Sequence, residues 1–301
     1  MKKLTALILA VAMSISMLVM PASAFYVGIV SSSYHPITGE LLSMELLVEN
    51  ENGGYDKLPV FDENGNQHYI QVGENEWEKL DPPIPAAEVE RMQAEAEKAE
   101  KAATAKKKAE MEKTYKLKIT DAYATNTSVL EELEYNIKLI PEVLRTKSAA
   151  QIAKKGKTLK IDDFSNGDTS MAGYAGYYTS GEVAIYLWDT SAYDHEYGHF
   201  IFMTVLPQIY NSSTLQKEWN ALKGGEGPTH VTNYAETSYQ EDLAETFSEI
   251  FMNTQYIRDL SIEYPDCLVV KKANLMVDTL CKAFSIDKSV FPELKPSAPS
   301  A

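Results

Sequence analysis

The pentapeptide His195-Glu196-Tyr197-Gly198-His199 restricts the possible structures of this chain more than any other stretch. On an α-helix, side chains four residues apart lie one above the other, so His195 and His199 can aim two imidazole nitrogens at one metal ion. Glu196 is turned about 100° from His195 and flanks that ion without taking a ligand position, where it can deprotonate a water. The chain has only five histidines, which sets the pattern apart from an ordinary surface helix. The surroundings predict a helix: Ser191 as N-cap with Asp194 three residues on, then Phe200, Ile201, Phe202, Val205 and Leu206, with a stop at Pro207. Gly198 costs that helix about 1 kcal/mol against alanine, so its expected use is to let another backbone come close.

Two histidines do not complete an open catalytic zinc site, which takes three protein ligands and a water. A histidine at 205 with a glycine at 202 would supply the third in one known pattern, but the chain has Val205 and Phe202. The downstream segment Ser238-Tyr-Gln-Glu241-Asp-Leu-Ala-Glu245-Thr-Phe247 predicts a second helix, with Leu243, Phe247, Ile250 and Phe251 on its apolar face. Glu241 and Glu245 share the other face. Either carboxylate can be the third ligand, and the remaining one can accept a histidine N–H. Ser238 and Glu241 also spell a capping box, in which Glu241 would merely cap its own helix. Tyr234 precedes that helix and can donate to a developing oxyanion; His230, in a Gly/Pro-rich loop, is an alternative donor or ligand.

These two motifs resemble the gluzincin-type zinc metallopeptidases, in particular the group around anthrax lethal factor and the secreted Pro-Pro endopeptidases. The likeness covers about residues 174 to 252. It rests on His195-Glu196-Tyr197-Gly198-His199 and on Tyr234 followed seven residues later by Glu241, then Ala244-Glu245 and Phe247. The resemblance implies His195, His199 and Glu241 as ligands of one Zn2+, Glu196 as general base toward a zinc-activated water, and Tyr234 as transition-state stabiliser. Asp242 stands where an apolar or aromatic residue is expected. The implied fold is α+β and zincin-like: a small mixed sheet, the motif helix and a second ligand-bearing helix.

Around this domain, expected over residues 115–295, the chain changes character several times. Residues 1–24 have the basic start, apolar core and small-residue end of a secretory signal peptide, which predicts an exported protein. No later stretch reaches the ~20 apolar residues of a membrane span. Residues 25–81 predict a small β-rich unit with candidate strands 25–30, 41–48, 58–61, 68–72 and 77–80. A Pro-rich break and a charged helix follow over 82–114; with few large apolar residues, the helix reads as a solvated spacer about 40 Å long. Both segments are expected to be dispensable for chemistry, and their partner is unspecified. A short tail closes the chain at 296–301. The net charge of −15 argues against nucleic acid as partner. Cys267 and Cys281 can pair only across a turn, because on one helix they would stand about 21 Å apart. The function these features predict is a secreted zinc endopeptidase acting on peptides or proteins; the rival is a non-catalytic binding protein that retains a zinc site, against which an intact Glu196 argues.

Overall fold

Ala184, Ile185, Tyr186 and Leu187 are all buried, so this strand is covered on both faces although its sequence alternates. The computed structural model, which describes residues 24–26, 29–34, 41–49, 54–73, 76–168 and 174–294, shows the reason: the strand is interior to a sheet. The leader and tail predicted from the sequence lie outside these residues, Ala24 apart. Contacts divide the chain into two units, Met1–Ala102 and Ala103–Ala301.

Among the described residues the first unit holds two three-stranded antiparallel sheets. In one, β1 (Ala24–Tyr26) and β5 (Gln67–Gly73) flank β6 (Glu76–Ile84); the other is β2 (Ile29–Tyr34), β3 (Leu41–Glu49) and β4 (Tyr55–Pro59). Leu46, Val60 and Trp77 form one small core. Ile70 and Leu80 form another, on which Ile84, Met92 and Ala96 pack. The last two belong to α1 (Ala86–Tyr115), the helix expected to be a solvated spacer. It is not one. Its first turns cover the β unit, and its last turns bury Met111 in the core of the second unit, where Lys107 also pairs with Glu134 at 2.7 Å. The predicted boundary at residue 115 therefore moves into the helix, because two widely spaced methionines dock ends that composition alone reads as polar.

The second unit is mixed α and β. Its sheet runs β7 (Leu117–Ile119), β8 (Leu159–Asp163), β10 (Ala184–Leu187), β9 (Gly176–Thr179). The β7/β8 and β8/β10 pairs are parallel, and the β9/β10 hairpin is antiparallel. Between β7 and β8 run α2 (Thr127–Leu139) and α3 (Glu142–Ala153). Leu130, Leu133 and Ile137 of α2 are fully buried, as their three-and-four spacing predicts. The edge beside the motif helix is β9. Downstream lie α5 (Ser212–Ala221), α6 (Tyr239–Met252), α7 (Thr254–Glu263) and α8 (Leu268–Phe284). Cys267 caps α8 and Cys281 sits near its end, and both thiols are free. No helix among the described residues is long and apolar enough to cross a membrane.

Candidate metal centre

The motif helix, α4 (Tyr193–His199), follows β10 through a single 3-10 turn at Thr190–Ala192. Asp189, rather than the expected Ser191, caps that turn, accepting from Ser191 N at 2.8 Å. Asp194 has no capping role. It is buried against α6, where Ser248 Oγ donates to its Oδ2. Beyond His199 the helix continues as a π segment, Phe200–Val205, and a 3-10 turn, Leu206–Gln208. Wide π turns of this kind recur beside functional sites.

Gly198 is where α6 crosses α4. A Cβ placed there would stand 3.1 Å from Ala244 Cα and 3.3 Å from Phe247 Cβ. The absence of a side chain lets two helix backbones touch. Glu241 and Glu245 lie on either side of that contact, one turn apart, and face the histidines. Ser238 does cap α6, accepting from Glu241 N at 3.1 Å. The reciprocal half of the capping box is missing, because the Glu241 carboxylate turns to His195 and His199.

Three donor atoms converge there. Glu241 Oε2 is 3.1 Å from His195 Nε2 and 3.1 Å from His199 Nε2, and the two nitrogens are 3.1 Å apart. The corners of such a triangle lie about 1.8 Å from its centre, so an ion at the usual ~2.0–2.2 Å from imidazole and carboxylate fits just above its plane. His195, His199 and Glu241 can therefore hold a metal ion. Their electrostatics agree. Burial opposes a charge on His195, yet its hydrogen bonds to Glu241 and Glu245 and the charge of Glu196 raise its pKa to about 10. Burial likewise pushes Glu241 up, but the two histidines bring it down to about 2. The spot is surrounded by negative charge that favours a cation.

Glu245 is not among the three. Its Oε1 lies 2.5 Å from His195 Nδ1 and its Oε2 accepts from Thr232 Oγ1 at 2.7 Å. A carboxylate on Nδ1–H leaves the Nε2 lone pair free to face the cluster. Glu196 is buried beside the triangle. One of its oxygens accepts from the backbone N–H of Tyr178 on β9, and among the described residues Oε2 has no partner. Burial, against the pull of His195 and His199, raises its pKa. Tyr234 lies in a 3-10 turn, Tyr234–Glu236, with its ring centroid 5.8 Å from that of His195. Burial and then the charge of Glu241 lift its phenol to about 12, so it stays a proton donor across the neutral range. His230 is directed elsewhere: Nδ1 is 3.2 Å from Thr229 Oγ1, and Nε2 is 3.9 Å from Asp242 Oδ2.

The residues that sequence reasoning missed are those supporting the site. Thr232 and the Tyr178 amide carry no motif. Asp242 did carry a signal, a charge on an otherwise apolar face, and proves to be buried in an ion pair with Lys272. Of two glycine-containing loops in this unit, 165–173 is described only through residue 168. The other, 223–228, packs against the start of α8, with Gly225 N donating to Asp266 O at 2.8 Å. No protein-family model and no curated protein matches this chain.

Proposed function

We propose that this chain is a secreted zinc endopeptidase with a zincin-like catalytic unit, of the gluzincin type that its two motifs resemble. The observation that carries the reading is the combination of a three-donor triangle with 3.1 Å edges and, beside it, a buried carboxylate with one oxygen held and the other unpartnered among the described residues. A purely structural zinc site closes with a fourth protein ligand and has no use for such a base. Two imidazoles and a carboxylate suit zinc by donor type.

Bound at His195, His199 and Glu241, zinc supplies Lewis acidity toward the scissile carbonyl and lowers the pKa of water. The chain's own groups do the rest. Glu196, its orientation set by the Tyr178 amide, takes the proton of the attacking water on Oε2 and hands it to the leaving amine. Tyr234 donates its phenolic hydrogen to the carbonyl oxygen as that oxygen gains charge. Glu245, steadied by Thr232, holds the His195 ring in the ligating tautomer. The edge strand β9, adjacent to Glu196, offers main-chain groups to an extended peptide. The basic, then apolar, then small-residue start of the chain supports export.

Glu196→Gln tests the assignment. It keeps size and removes the base, so turnover of a cleaved peptide should fall at least ~100-fold while zinc content stays at one per chain. Equal cleavage by both proteins would refute Glu196 as base. No cleavage by fully zinc-loaded wild type across a diverse peptide library would refute the enzyme reading in favour of a binding protein.

A further inference from the structure

Asp242 follows the ligand Glu241 directly and is turned about 100° from it around α6. Its Oδ2 accepts from Trp219 Nε1 of α5 at 2.7 Å and from Lys272 Nζ of α8 at 2.6 Å. Both members of the ion pair are almost fully enclosed, Lys272 at 3% and Asp242 at 5% exposure. A pair this deep is a poor stabiliser by itself, because desolvation offsets the attraction and apolar replacements are often neutral. What else the ammonium holds therefore matters. Lys272 Nζ also donates to Thr229 O at 2.8 Å. That carbonyl belongs to the loop leading to Tyr234.

Among the described residues nothing hydrogen-bonds the Tyr234 phenol, and the residue is 40% exposed. Its position is set by its loop, which two close hydrogen bonds tether, with His230 Nε2 also 3.9 Å from Asp242 Oδ2. One is Thr232 Oγ1, which donates to Glu245 and accepts from Ala235 N at 3.1 Å. The other is the Lys272 contact to Thr229. The first tether ends on the carboxylate that orients His195, the second on the residue beside Glu241.

We propose that Asp242 and Lys272 are positioning residues: their buried pair clamps the 229–234 loop to α6 and so holds the Tyr234 phenol beside the metal ligands. The chemical consequence rests on the peptidase reading above, whereas the structural one does not.

The test uses the full mature chain in two forms. Lys272→Met leaves the buried Asp242 with Trp219 and the more distant His230 and can fail to fold; Asp242→Leu with Lys272→Met replaces the pair by apolar groups and should fold. In either folded variant, amides of residues 229–237 should exchange hydrogen about 10-fold faster or more, with those of α4 and α6 little changed. Zinc should remain at one per chain. Tyr234→Phe should cost about 100-fold in kcat in the wild-type background, the order of one oxyanion donor, and less than about 10-fold in the paired variant. Unchanged exchange at 229–237 overturns the clamp. Faster exchange with an equal cost of Tyr234→Phe in both backgrounds overturns its link to Tyr234. Faster exchange in a protein that cleaves nothing leaves the clamp standing and removes the peptidase reading instead.

Discussion

Replacing Gly198 with alanine sets two effects of known sign against each other. Within a helix alanine is favoured over glycine by about 1 kcal/mol, so by propensity alone the variant gains stability. Packing opposes this. The new methyl would lie 3.1 Å from Ala244 Cα, 3.3 Å from Phe247 Cβ and 3.4 Å from Ala244 O. Two of these atoms are backbone of α6, and Phe247 is fully buried, so no flexible side chain can move aside. Overpacking of this kind costs about 1–3 kcal/mol, which leaves a net loss of about 0–2 kcal/mol after the helix gain. For a unit of this size 1 kcal/mol corresponds to about 2–4 °C in Tm. The clash is relieved when α6 moves off by a few tenths of an ångström, and Glu241, one turn before Ala244, moves with it. Affinity for the proposed zinc should then fall about 10-fold or more, as metal affinity does when the support of a ligand is disturbed. Urea unfolding with a chelator present measures the first effect, and competition against a chromophoric chelator the second. A Gly198→Ala protein about 1 kcal/mol more stable than wild type, with unchanged zinc affinity, would show that the glycine does not serve the helix crossing.

Glu241→Ala should lose zinc outright, whereas Glu245→Ala should keep it and bind about 10–100-fold more weakly; elemental analysis after gel filtration reads both, and the reverse result would exchange ligand and support. Two free thiols should titrate in the unfolded, unreduced chain, matching unpaired Cys267 and Cys281; a count of zero would mean a disulfide. Glu134 is raised by burial but pulled down more strongly by Lys107, Tyr115 and Lys138, from 4.5 to about 2. A depressed carboxyl stabilises the fold above its unfolded pKa and loses that contribution as pH falls toward about 2, so the stability difference between wild type and Glu134→Gln should shrink between about pH 5 and pH 3 in chelated protein. A constant difference in urea midpoints would contradict this. A chain starting at residue 115 lacks the buried Met111 and should be less stable by about 2–5 kcal/mol than one starting at 103, measured by the same unfolding assay.

Local order was legible in the sequence because it depends on spacing that local chemistry enforces. The four-residue step of His195 and His199 and the buried stripe Leu130, Leu133 and Ile137 both follow from the period of the helix. The prediction that Gly198 admits another backbone also follows, since glycine inside a helix needs a reason. Which backbone it admits does not. Glu241 and Glu245 are equivalent by spacing; only the crossing at Ala244 turns one to both Nε2 atoms and the other to His195 Nδ1. The same limit hid the edge position of β9, since strand order depends on pairing between distant segments. It also hid the docking of α1 at both ends, since two methionines in a charged helix have no visible partner until the fold supplies one. Asp242 shows the boundary most clearly. Its charge on an apolar face marked it as anomalous, but the ammonium that balances it stands thirty residues away on α8, and a charge can be buried only where the tertiary structure brings its partner.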